Sequence, residues 1–207
     1  MTSTPDLFFE NQLRSACKHI AGLDEAGRGA LAGPVCVGAV ILPQEDETIL
    51  AQALRGARDS KQMTPRSRSK LALQIQSIAH GWGVGFSTAD EIDSLGIVPA
   101  TRLAAARAVE MLPVFPDYLL TDFRLELPEL DVPQSAIVKG DQKSLSIACA
   151  SILAKTARDE LMMQLDVQYP EYGFARHKGY GTLLHRRKIQ HDGHSIVHRK
   201  TFQIKGP

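Results

Sequence analysis

Three apolar, strand-like runs in this 207-residue chain, HIAGLD, DYLLTD and SAIVKGD, each close on an aspartate: Asp24, Asp122 and Asp141. Stretches with helical patterning separate them, at Pro65 to His80, Asp90 to Leu95 and Pro99 to Leu112. A further buried strand, VCVGAVILP, ends at Pro43, and WGVGFST reads as another short one. A long helix is expected from about Ser144 to Gln168, with Ile147, Ala150, Ala154, Ala157, Leu161 and Leu165 on its apolar side. Shorter helices are expected at about Asp6 to Cys17, Gln52 to Gly56 and Gly181 to Gln190. The order predicts an α/β fold: a mixed sheet flanked by helices over residues 1–168, with a small helical and basic C-terminal extension over 169–207. Trp82 and the Met162–Met163 pair are expected in the core.

The strand ends matter because ligands of open α/β sheets bind in the crevice outside them. Glu25 follows Asp24 directly, giving four carboxylates: Asp24, Glu25, Asp122 and Asp141. Several ionised carboxylates can share a site only if a cation neutralises them, and hard oxygen donors suit Mg²⁺ or Mn²⁺. Neighbouring strand residues point to opposite faces, so Asp24 and Glu25 reach one metal only if the strand ends or bends there. Aspartate is also common at strand ends and turns for conformational reasons, and spacing alone leaves both readings open.

Composition excludes some classes. No stretch approaches the ~20 apolar residues of a membrane helix, and the N-terminus lacks a secretion-signal pattern. Cys17, Cys36 and Cys149 are odd in number and far apart, predicting reduced thiols in a cytoplasm and no zinc site. The net charge is only +1, but it is unevenly spread. Arg176 to Pro207 holds eight Lys/Arg and five of the seven histidines against the single acid Asp192; Leu54 to Lys70 holds six Lys/Arg against Asp59. Such patches suit phosphate contacts, although solvated surface segments look the same. His185, His191, His194 and His198 are expected at phosphate contacts or on the surface.

The glycines of GRGALAGP are spaced G-x-G-x-x-x-G and run into a strand, not a helix, which argues against a dinucleotide fingerprint. They permit close backbone approach to a ligand, such as a ribose 2′-hydroxyl, which both donates and accepts. Tyr180, between Gly179 and Gly181, could stack on a sugar or base.

Six segments in order, GLDEAGRGALAGPV, DSK, IVKGDQKS, SIACASILAKTARD, YPEYGFARHKGYGT and HRKTF, resemble the ribonuclease HII family over roughly residues 20–202. The resemblance implies an RNase H-like fold and Mg²⁺- or Mn²⁺-dependent endonucleolytic cleavage leaving 3′-hydroxyl and 5′-phosphate ends. The implied substrates are RNA–DNA hybrids and single ribonucleotides in duplex DNA, cut by a cytoplasmic monomer at the start of ribonucleotide excision. By position, Asp24, Glu25, Asp122 and Asp141 look like its catalytic metal ligands. Gly27, Arg28 and Gly29 look like its 2′-hydroxyl-reading turn, Tyr180 like the residue at the RNA-to-DNA junction, and Ser60, Lys61, Lys143 and His177 like further substrate contacts. The chain departs from the family pattern at Phe123, Gly96 and Ala30, where glycine, asparagine and proline are usual. Competing readings are a DNA-only nuclease of like fold and a non-catalytic nucleic-acid-binding module.

Overall fold

The computed structural model describes residues 4–44, 47–57, 63–122 and 125–204. Its sheet has five strands: β1 (Ile20–Ala26), β2 (Val35–Ile41), β3 (Gly81–Ser87), β4 (Tyr118–Asp122) and β5 (Gln134–Ile137), in the order β3-β2-β1-β4-β5. Strands β1, β2 and β3 pair antiparallel, whereas β4 and β5 run parallel to β1. The sheet is therefore mixed, as the sequence predicts.

Helices cover both faces. On one, α6 (Leu145–Gln168) crosses the central strands, and the glycines beneath it set the distance. A Cβ on Gly22 would stand 2.3 Å from the Ser146 carbonyl carbon, and one on Gly38 would stand 2.4 Å from the Ala150 oxygen. On the other face, α5 (Ile97–Glu110) lays Ala104 and Ala108 against Gly83 and Gly85 of β3. Small residues on both partners bring the helix backbone down onto the sheet, and burial of Ala21, Leu23, Val37, Ala39 and Leu119 completes that core. Since the β3 glycines take the α5 face, alternation sends Trp82 to the other side, where it is 36% exposed. Met162 is buried, but its neighbour Met163 is 54% exposed, so only one of the pair is core.

The remaining helices are α1 (Phe8–Leu13), α2 (Glu47–Ala53), α3 (Pro65–Ile78), α4 (Ala89–Leu95), α7 (Phe174–His177) and α8 (Leu183–Asp192). Helix α2 begins five residues before the expected Gln52, with Leu50 as its buried anchor. Thr88 and Glu91 form a reciprocal capping box at the start of α4. Between α4 and α5, Gly96 adopts φ 84°, ψ 159°, a conformation that an asparagine side chain would strain. That explains the glycine at this point. Among the described residues, no helix is long and apolar enough to cross a membrane.

Candidate active site

Asp24 lies within β1, not at its end: the strand continues through Glu25 to Ala26. Asp24 shares the α6 face with Gly22, is buried, and hydrogen-bonds the Ser151 side chain of α6. It also accepts from the Glu25 amide at 2.7 Å. Glu25 alternates away from it, and its carboxylate lies 3.6 Å from the Arg28 guanidinium. Asp122 closes β4, one position beyond the Leu23–Thr121 pair, and its Oδ1 accepts from the Gly140 amide at 2.7 Å.

Asp141 departs from expectation. Strand β5 stops at Ile137, and Lys139 turns the chain through a left-handed conformation (φ 56°) into a 3-10 turn over Gly140–Gln142. Buried Asp141 sits on that turn, just before Ser144 caps α6 by accepting from the Ile147 amide. Lys143, exposed at the end of the turn, bonds through its main chain to Gly140 and Asp6.

The other three acids act on Asp24. Burial, then Glu25, Asp122 and Asp141, push the Asp24 carboxyl well above its usual range, against a lowering contribution from Ser151. Among the described residues, no three His, Cys, Asp or Glu side chains are drawn together as a finished cation cage. The donor chemistry nonetheless fits a hard divalent cation: carboxylate oxygens only, with a repulsion that positive charge would relieve.

β1 runs directly into the GRG turn. Gly27 has φ +86°, and a Cβ there would lie 1.8 Å from Arg158 Nε, so both conformation and space demand glycine. Arg28 is half-buried. Gly29 is exposed, and a Cβ on it would meet no protein atom within 4 Å. A second turn lies against the first: the Gly179 carbonyl accepts from the Leu31 amide at 2.8 Å and from the Ala32 amide at 3.3 Å. This turn carries Tyr180, whose ring has the Arg158 guanidinium carbon 5.3 Å and Lys155 Nζ 5.5 Å from its centroid.

Two fully buried arginines, not singled out by the sequence, hold these turns. Arg158 on α6 donates to the carbonyls of Pro34 (2.9 Å), Ala32 (3.2 Å) and Lys178 (3.0 Å). Arg199 donates to those of Gly33 (3.0 Å), Arg28 (2.8 Å) and Gly27 (2.8 Å).

Buried histidines hold the Tyr180 turn from within, contrary to the surface placement expected for His185 and His198. His177 Nε2 donates to the Tyr172 carbonyl at 2.9 Å, and its Nδ1 accepts from the Gly179 amide at 3.2 Å. His185 Nδ1 donates to the Tyr180 carbonyl at 3.0 Å. Its Nε2 must then accept from His198 Nε2, 3.1 Å away, leaving His198 Nδ1 to accept from the Ser195 amide. His177 and His185 stack at 4.3 Å, and burial pushes the pKa values of His185 and His198 down to about 4. Hydrophobic periodicity could not reveal these residues. For Arg158, His177, His198 and Arg199 the available signal was their place in the SIACASILAKTARD, YPEYGFARHKGYGT and HRKTF segments; His185 lies outside them. Ser60, Lys61 and Phe123 lie outside the described residues.

A family model described as Ribonuclease HII matches residues 21–205. The chain belongs to the ribonuclease HII family. It is therefore a hydrolase, a nuclease of the ribonuclease H type. A ribonuclease HII of Dehalococcoides mccartyi is 52% identical over 183 residues, covering 88% of this chain and 85% of that protein. The crystal structure of ribonuclease H2 from Pyrococcus horikoshii OT3 superposes with a TM-score of 0.76 at 26% identity, covering 90% of this chain and 94% of that one. The fold is also that of Bst-RNase HIII, solved in complex with Mn²⁺: TM-score 0.67, 19% identity, 96% of this chain and 71% of that one. The RNase H-like α/β architecture is thus shared across this group.

Proposed function

We propose that the chain is an endoribonuclease that cleaves the RNA strand of RNA–DNA hybrids and incises 5′ to single ribonucleotides in duplex DNA. It leaves 3′-hydroxyl and 5′-phosphate ends, and so opens ribonucleotide excision, as a monomer in the cytoplasm. Residues 1–168 form the catalytic domain in this reading, and 169–207 the substrate-binding extension. RNA-strand cleavage in hybrids follows from the family; the finer specificity rests on one observation. The strand bearing Asp24 and Glu25 runs without interruption into the GRG turn, and the residues just after that turn, Leu31 and Ala32, donate to the Gly179 carbonyl beside Tyr180.

Asp24, Glu25, Asp122 and Asp141 would hold two Mg²⁺ or Mn²⁺ ions. When bound, such ions supply Lewis acidity and an activated water for phosphodiester hydrolysis. The chain's own residues orient the substrate. Gly27, Arg28 and Gly29 offer backbone groups to the 2′-hydroxyl, and the open space over Gly29 leaves room for a ribose. Tyr180 stacks on the following deoxyribose and crowds a second 2′-hydroxyl. The neutral His185 ring fixes the Tyr180 carbonyl, and hence the turn. Lys143, which is exposed, and the Ser60–Lys61 pair contact phosphates; buried His177 acts by holding the Gly179 amide.

The test is incubation with a DNA duplex carrying one ribonucleotide, with Mg²⁺ or Mn²⁺ and then with EDTA. A metal-dependent nick 5′ to the ribonucleotide is expected. Equal cutting of an all-DNA duplex would instead identify a DNA nuclease, and binding without cutting a non-catalytic module.

A further inference from the structure

Arg158 and Arg199 stand out because their guanidinium groups are buried without an ion pair among the described residues. The nearest acid in sequence, Asp159, is occupied by Arg68 and Lys155, each at 2.7 Å. Burying unpaired charge is costly, and an apolar side chain would serve simple packing better. What the arginines provide is a rigid planar fork with several donors at fixed angles, which lysine lacks. Each fork spans main-chain carbonyls distant in sequence. Arg158 ties the segment after the GRG turn to Lys178 beside the Tyr180 turn, and Arg199 ties the C-terminal HRK segment to Gly27 and Arg28. Arg158 also underlies the Tyr180 ring. Burial pushes Arg199 down to about 9, so that group stays charged at neutral pH, beside a site read as taking a polyanion.

We infer that Arg158 and Arg199 are positioning residues that lock the GRG turn and the Tyr180 turn into one rigid reader of the ribonucleotide. This rests on the proposed substrate reading. It adds that discrimination depends on two side chains from separate elements, joined through backbone carbonyls. Asp93 secures the assembly from outside by accepting from the amides of Lys200 (2.8 Å) and Thr201 (3.0 Å), immediately after Arg199.

A double-mutant cycle separates positioning from general support. The variants Arg158→Lys and Arg199→Lys are combined with Tyr180→Ala, and kcat and KM are measured on the single-ribonucleotide duplex alongside thermal melting. Each lysine variant is expected to lower kcat/KM by about tenfold or more with Tyr180 present, chiefly through KM, and by less than about twofold in the Tyr180→Ala background. Equal losses in both backgrounds would overturn the inference. If the lysine variants do not fold, Asp93→Asn decides. A several-fold loss that vanishes with Tyr180→Ala supports locking, and unchanged activity overturns it. Failure of the wild-type protein to nick this duplex would instead sink the substrate reading.

Discussion

Asp122 accepts a hydrogen bond from the Gly140 amide at 2.7 Å, which ties the carboxylate closing β4 to the turn that carries Asp141. The placement of these two carboxylates is thus set by the main chain as much as by side-chain packing. Asp24 occupies the next strand over and is held by Ser151 of the helix that this turn introduces.

Replacing Asp24 by asparagine should abolish cleavage while largely preserving duplex binding. It should also remove a buried carboxyl whose ionised form is disfavoured by burial and by Glu25, Asp122 and Asp141. In EDTA the variant should therefore melt higher than wild type, by about 2–4 °C per kcal/mol of repulsion relieved. Added Mn²⁺ should stabilise the wild type more than the variant. Full activity in Asp24→Asn, read by gel assay, would contradict its assignment.

Gly27 and Gly29 should respond differently to alanine. At Gly27 the positive φ and the Arg158 contact predict a loss of about 2–5 kcal/mol in urea unfolding. Gly29→Ala meets no protein atom, so its stability should stay within about 0.5 kcal/mol of wild type. Cleavage at the ribonucleotide should nevertheless fall at least about tenfold, because the added methyl intrudes where the ribose is placed. Equal activity in Gly29→Ala would remove the GRG turn from substrate reading.

Acid should weaken the fold through the histidines. His185 and His198 take up protons near pH 6.5 when unfolded but only near pH 4 when folded, so the unfolded state binds more protons between these values. Stability contributed by this pair should fall as pH drops from about 6.5 to 4, by roughly 1.4 kcal/mol per pH unit for each proton taken up. Urea unfolding of the wild type and His198→Gln across this range checks it. The variant should show the shallower slope; identical slopes would place the acid sensitivity elsewhere.

Much of the fold was legible in the sequence. Apolar runs located the strands, but of the three aspartates expected at strand ends only Asp122 closes one, since Asp24 lies within β1 and Asp141 on a turn. Asp141 was misplaced because SAIVKGD is apolar up to Val138, and nothing in its pattern announces the left-handed Lys139 that starts a 3-10 turn. A strand end or bend was expected at Asp24 and Glu25, yet β1 continues through both to Ala26, and the positive φ of Gly27 serves the turn after the strand. The buried arginines and histidines were hidden because polar residues normally read as surface. Their burial depends on carbonyls contributed by segments far away in the chain, which no local pattern encodes.

The central claim is that carboxylates cut while two glycine-bearing turns choose the ribonucleotide. Its most direct test is the single-turnover rate on two duplexes identical except for one 2′-hydroxyl, with Mg²⁺ or Mn²⁺ present. A site built to hydrogen-bond that hydroxyl predicts a preference on the order of 10⁴-fold for the ribonucleotide duplex. Rates within about tenfold of each other would contradict it.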